Sequence, residues 1–200
     1  MNEEAIVDPG LRTRLPDLLT QLDRHEGYVA GHSASVCDLA VKVARGVGLA
    51  QDDLTAIALG ALLHDIGKVF IDGQVLAREG PLSEAEWEMI RLHPALGEAL
   101  LAPTLADPVA LAMVRWHHER WDGGGYPDGR LGEETPLAAR IAATADAYTA
   151  MREPRPYREA MHQDDALDEL HKESWTQFDG ECVQALVDAL AGRLDGLAPP

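Results

Sequence analysis

From about Tyr28 to Val47, the apolar residues Val29, Val36, Ala40, Val43 and Val47 recur largely at three- and four-residue steps, and Gly48 marks a stop. This pattern predicts an amphipathic helix with His32 on its apolar stripe. The next run, LTAIALGALLH, is apolar nearly all round and predicts a central helix, capped by Asp52 or Asp53 and closed by His64 and Asp65. Ser83 and Glu86 form a capping-box pair after Pro81, and the helix they start should end or kink at His93, because Pro94 lacks the amide donor. Asp107 and Pro108 open a further helix, DPVALAMVRWHH. The run Asp122–Gly132 holds five glycines and a proline in eleven residues, which predicts a shaped loop. A helix over about Pro136–Met151 carries Asp146, and after REPRPYR two amphipathic segments follow at about Glu159–His171 and Phe178–Leu194. Strict polar and apolar alternation is absent, so the fold class expected is all-α.

The organisation expected is an acidic leader with a short helix over 1–24, one domain over 25–194 and a loose tail over 195–200. A chain of 200 residues with 46% hydrophobic content can bury a full core as one domain. The formal net charge of −17, from 34 acidic and 17 basic residues, disfavours long nucleic acid and anionic membrane surfaces as partners. Any phosphate ligand must therefore be attracted locally, by bound metals or a few arginines. Cys37 and Cys182 are the two cysteines, far apart in apolar surroundings, which reads as a reduced, cytoplasmic protein. Neither a signal peptide nor a membrane-spanning run is expected. The tryptophans Trp87, Trp116, Trp121 and Trp175 are candidates for an exposed anchor to a partner.

The chemistry lies in seven residues spread over five expected helices or helix ends: His32, His64, Asp65, His93, His117, His118 and Asp146. Of the eight histidines, His25, His162 and His171 are read as ordinary surface or core residues. A mixed imidazole and carboxylate set suits Fe, Mn, Zn, Ni or Co better than Ca or Mg. Seven ligands crowd one ion but suit two. A carboxylate can bridge because it has two oxygens, so Asp65 is the expected bridge. Two ions about 3.5 to 4 Å apart would acidify a bridging water into a hydroxide nucleophile and hold a phosphate oxygen. Lys68, one turn beyond His64, is placed to bring an ammonium near that phosphate.

The segments GHS at 31–33, LLHDIGK at 62–68, the His93-Pro94 pair, HHERWDGGGYP at 117–127, ARIAATADAYTAM at 139–151 and RPYR at 155–158 resemble the HD-GYP subclass of the HD phosphohydrolase superfamily. The resemblance covers about residues 25–190. It implies a five-helix core extended by further helices, and a metal-dependent phosphodiesterase that opens cyclic di-GMP to linear pGpG. It also implies that His32, His64, Asp65 and Asp146 hold one metal. Asp65 then bridges to a second, held by His93, His117 and His118, with Fe or Mn first in rank. Lys68 corresponds to the family's catalytic lysine. Tyr126, Arg155 and Arg158 correspond to its phosphate contacts, on and after a loop shaped by Gly123, Gly125 and Pro127.

Members that hold three metals carry carboxylates where this chain has Tyr28 and Thr149, so two metals are expected, and pGpG rather than GMP as the end product. Arg130, Leu131 and Asp72 also depart from the usual pattern, at the rim rather than the centre. Two alternatives stay open. One is hydrolysis of another cyclic dinucleotide or a nucleotide; the other is a non-catalytic module that binds cyclic di-GMP. Regulation would then come through a separate signalling protein or homo-oligomer contacts.

Overall fold

The computed structural model of the chain describes residues 13, 16, 17, 20, 31–78, 80–154 and 159–193. The expected leader and tail therefore lie largely outside the described residues, although Thr13, Pro16, Asp17 and Thr20 are all helical. Arg155, Arg158 and Tyr28 also lie outside them. Among the described residues the ordered elements are helices α1 (His32–Gly46), α2 (Leu54–Leu63), α3 (Gly73–Leu76), α4 (Glu84–Arg91), α5 (His93–Leu101), α6 (Pro108–Trp116), α7 (Leu137–Arg152), α8 (Gln163–Lys172) and α9 (Gly180–Leu190). Short 3-10 turns occur at Gln51–Asp53, Ile66–Phe70 and Gly132–Glu134. No strand occurs among the described residues, in agreement with the all-α expectation, and only isolated bridges such as Asp122 with Leu131 are present.

Helix α2 is central, as its all-round apolar sequence requires. It packs on α1 and α6, while α7 lies across α1 and α6. The main core gathers Val36, Val43, Ile57, Met113, Ile141 and Leu186, and the alanines of α7 at 138, 139, 142 and 145 let neighbouring backbones approach closely. A second cluster, with Leu63, Ile66, Leu101, Leu105, Ala110 and Val114, lies under the far end of α2. The two clusters leave the seven chemical candidates at helix ends or on inward faces between them.

Several local signals act as expected. Ser83 and Glu86 form a reciprocal capping box, and the Asp107 carboxylate accepts from the amides of Val109 and Ala110, both at 2.9 Å. Others need correction. Asp53 sits at the N-cap of α2 but makes no side-chain cap, because a 3-10 turn over Gln51–Asp53 already feeds the helix. The stop at Pro94 is real, yet a new helix begins there. Proline is tolerated in the first turn, where its missing amide would be unpaired anyway, so α5 starts at His93.

That restart positions His93 through two glycines. A Cβ on Gly67 would overlap the His93 carbonyl oxygen and the Gly97 amide, and one on Gly97 would stand 3.2 Å from the Gly67 nitrogen. The 3-10 turn after Asp65 and the first turns of α5 thus touch backbone to backbone. We expect Gly67→Ala to push these elements apart at a cost of about 1–3 kcal/mol or more. Urea unfolding and bound-metal analysis of the purified variant check this, with both stability and metal retention reduced; a wild-type midpoint and metal content would contradict it.

Candidate metal centre

The local fold aims the imidazoles before any ligand is considered. His64 is the C-cap of α2, and its Nδ1 lies 2.7 Å from the Ala61 carbonyl oxygen. His93 places Nδ1 at 2.7 Å from the Ile90 carbonyl, and His117 at 3.0 Å from that of Val114. A carbonyl only accepts, so each of these Nδ1 atoms donates, and in the neutral imidazole each Nε2 is left with a lone pair. All three Nε2 atoms converge on Asp65. They stand 3.2 Å (His64) from its Oδ2, and 3.1 Å (His93) and 3.6 Å (His117) from its Oδ1.

This arrangement leaves atoms that only an electrophile can satisfy. His93 Nε2 and His117 Nε2 face each other at 3.2 Å, and with both rings neutral and Nδ1 donating they are two acceptors. His64 Nε2 and Asp65 Oδ1 are buried without a hydrogen-bond partner. Acceptors packed this closely, each fixed through its other ring nitrogen, fit a cation. Two sets have donor atoms mutually within 4.8 Å: Asp65, His93, His117 and His118, and His32, His64 and Asp65. Asp65 belongs to both. The His118 ring lies tilted beside His117, with ring centroids 4.1 Å apart. Asp146 falls outside both sets, its carboxylate touching His32 Nε2 at 3.1 Å.

Charge states follow the packing. Burial works to raise the Asp65 carboxyl, but His64, Lys68 and His117 hold it well below the ordinary range. Asp146 is likewise held low against its burial, through the hydrogen bond to His32 and the charge of His64. Burial pushes His117 down to about 4 and His118 well below its usual value. His32 and His64 go the other way. Burial lowers His32, yet Asp146, Asp65 and Glu153 raise it to about 9, and Asp65 raises His64. A cation at those two Nε2 atoms competes with a proton, whereas Asp65, Asp146, His117 and His118 are already in the form that binds metal.

Lys68 Nζ lies 2.6 Å from Asp65 Oδ2 at the edge of the cluster. Tyr126 stacks on His118 with centroids 4.8 Å apart, and burial, with Asp65 adding to it, pushes its phenol up. Both line a cavity of about 910 Å³ that also reaches His32, His93 and Asp146. Thr149 is occupied within its helix, donating its hydroxyl to the Ala145 carbonyl at 2.8 Å.

Two residues that sequence reasoning overlooked organise the site. Glu153 Oε2 accepts from His32 Nδ1 at 2.8 Å, so His32 lies between Glu153 and Asp146. Glu153 stands just beyond the end of α7, where the chain turns extended, so no helical spacing singled it out. Glu119, buried beside the paired histidines, accepts from the amides of Asp128, Gly129 and Arg130 at 2.7, 3.0 and 3.0 Å. It holds the glycine-rich loop, together with Asp128, which accepts from Arg115 and Trp116. Gly123 has φ 77 at the loop's start, and Tyr126–Pro127 is cis. A Cβ on Gly125 would collide with the backbone of Glu119 and Arg120, so the loop's own chain, rather than a ligand, demands that glycine.

A family model described as HD domain matches residues 17–182. The cyclic di-GMP phosphodiesterase response regulator RpfG of Xanthomonas campestris pv. campestris is 38% identical, over 94% of this chain and 49% of its own length. A 3'3'-cGAMP-specific phosphodiesterase 3 of Vibrio cholerae is also 38% identical, over 84% of this chain and 37% of that protein. The chain thus spans less than half the length of these curated relatives. A solved cyclic GMP-AMP phosphodiesterase from V. cholerae superposes with a TM-score of 0.68 at 21% identity, covering 92% of this chain and 52% of that one. An HDG"Y"P protein of Bdellovibrio bacteriovorus gives 0.66 at 21% identity, over 80% and 52%. At that identity the superpositions establish the fold.

From the His32 contact we expect Glu153→Ala to weaken metal retention about 10- to 100-fold, as for other carboxylates behind a ligating histidine, with Glu153→Gln recovering part. Equilibrium dialysis against buffered Mn(II) measures it. Equal retention in both variants and wild type would remove Glu153 from the site.

Proposed function

We propose that this chain, which belongs to the HD domain family and to its HD-GYP branch, is a metal-dependent phosphodiesterase that hydrolyses cyclic di-GMP to linear pGpG. The observation that carries this reading is the place of Asp65 in both ligand sets, which gives two neighbouring cations one shared carboxylate. His32, His64, Asp65 and Asp146 would hold one ion, and Asp65, His93, His117 and His118 the other. Their nitrogen-rich donors suit Fe or Mn first, with Zn, Ni or Co accepted by the same chemistry. When bound, such a pair supplies positive charge toward a phosphate oxygen and acidifies water to a nucleophile at neutral pH.

The chain's own residues prepare the substrate. Lys68, paired with Asp65 at the cavity edge, places an ammonium where charge builds on the phosphate. Tyr126, half-buried against His118 in a loop pinned by Glu119, would contact the phosphate side of the ligand. Arg155 and Arg158, outside the described residues, bring planar forks suited to phosphate oxygens. With Tyr28 and Thr149 where carboxylates would serve a third ion, cleavage should end at pGpG.

Hydrolysis of 3'3'-cGAMP is the second reading, favoured by the relative of that specificity at 38% identity. No described helix is long and apolar enough to cross a membrane. Cytoplasmic action on a diffusible dinucleotide is part of this proposal, as is control by a separate signalling protein or by self-association.

Protein prepared without oxygen and loaded with Fe(II) or Mn(II) should convert cyclic di-GMP to pGpG on chromatography. Asp65→Ala should lose at least about 100-fold in rate and both metals, while far-ultraviolet dichroism stays helical. Wild-type turnover by that variant under controlled metal would defeat the shared-carboxylate mechanism, and GMP as the main product would defeat the predicted end point.

A further inference from the structure

The helix in front of the site, α4, has an apolar face with no partner in the described fold. None of its eight residues is buried, although its capping box makes it a well-formed helix. Trp87, Ile90 and Arg91 lie at i, i+3 and i+4, one face, and all three line the cavity that ends at Asp65 and His117. Trp87 keeps 44% of its surface exposed there. This face is tied to the metal centre, because the Ile90 carbonyl orients His93 and α5 begins one residue beyond Leu92.

The cations of that cavity are unequally committed. Arg78 pairs with Glu86 at 2.5 Å, Arg120 with Asp122 at 2.7 Å and Lys68 with Asp65 at 2.6 Å. Arg91 makes no ion pair among the described residues. In a chain of net charge −17, an uncommitted guanidinium inside a cavity is a local attractor for an anion. Arg91 lines the same cavity as Tyr126, Asp65 and His117, so it belongs to the same chamber as the metal centre.

We infer that Trp87 and Arg91 form a nucleotide subsite, with one base of the bound cyclic dinucleotide stacked on the Trp87 indole and the phosphodiester that is not being cut held by Arg91. The inference rests on the phosphodiesterase reading above and extends it. A cyclic dinucleotide carries two phosphodiesters and two bases, and the His/Asp cluster accounts for only one phosphodiester. The second brings a negative charge that needs a cation, and the bases bring flat π-faces that need an aromatic or apolar platform. An open cavity of about 910 Å³ is larger than one phosphate requires. Ile90, beside Trp87 on the same face, extends the apolar surface beneath the base.

The test measures kcat and KM of the metal-loaded chain on cyclic di-GMP and 3'3'-cGAMP for wild type, Trp87→Ala, Trp87→Phe, Arg91→Ala and Met89→Ala. Met89 is on α4 but does not line the cavity, so its variant controls for general loosening of the helix. Trp87→Ala should raise KM about 10-fold or more, and Trp87→Phe should recover most of it. Arg91→Ala should raise KM about 10-fold and flatten its dependence on salt. In the Trp87 and Arg91 variants kcat should move by less than about twofold, the mark of lost ground-state binding. Unchanged KM in Trp87→Ala and Arg91→Ala overturns the subsite, as does an equal rise in Met89→Ala. Equal loss in Trp87→Phe and Trp87→Ala overturns stacking.

Failure of the phosphodiesterase reading looks different, because wild type then cleaves neither dinucleotide. Tryptophan fluorescence decides the subsite in that case. Quenching by cyclic di-GMP that disappears in Trp87→Phe supports it; no quenching in wild type overturns it.

Discussion

Asp65 carries a carboxylate only 2% exposed into a space bounded by His64, His93 and His117, and taking that charge out of water costs on the order of several kcal/mol unless opposite charge returns it. The ammonium of Lys68 returns part of it, and cations on the facing imidazole nitrogens would return the rest. Much of the helical arrangement serves this one group. The end of α2 supplies His64 and Asp65, α5 restarts so that His93 reaches Oδ1, and α6 ends so that His117 closes the other side. Helices α1 and α7 add His32 and Asp146 from the main core. The five helices that carry the candidates are thus also those whose packing fixes their separation.

Behind this ring stands a second one, made of groups that never face the cavity's centre. Three carbonyls, of Ala61, Ile90 and Val114, and the carboxylate of Glu153 each hold an Nδ1 atom. They determine which ring nitrogen is bare, and therefore what the cluster can bind. The carbonyls belong to the helical turns just before their histidines, so part of this control is built into each helix end. Glu153 is different: it meets His32 across 121 positions of sequence.

That difference explains what the sequence made legible. Helix signals of short range, such as Ser83 with Glu86, Asp107 before Pro108, and the apolar run of α2, translate into elements because the partners lie within one or two turns. The seven histidines and aspartates could be picked out by residue type and by resemblance, and the structure brings six of them into shared ligand sets, with Asp146 at their edge. The break at His93 was legible, but the new helix that begins there was not, because proline weakens a helix interior yet is harmless in a first turn. Glu119 and Glu153 carried no local pattern strong enough to separate them from other acidic residues in so acidic a chain. The work of Glu119, whose two carboxylate oxygens collect three amides of a loop, becomes visible only when the loop has folded back over it.

The backbone contact between Gly67 and the first turn of α5 has a mechanical meaning for the cavity. With no side chain between them, these two pieces have no slack to slide or tilt, so the floor bearing Asp65 and His93 behaves as a single stiff plate. Helix α4, by contrast, sinks no side chain into the interior. The wall and the floor meet through the Ile90 carbonyl that holds His93 Nδ1, so any tilt of α4 would be transmitted to the plate at that one hydrogen bond.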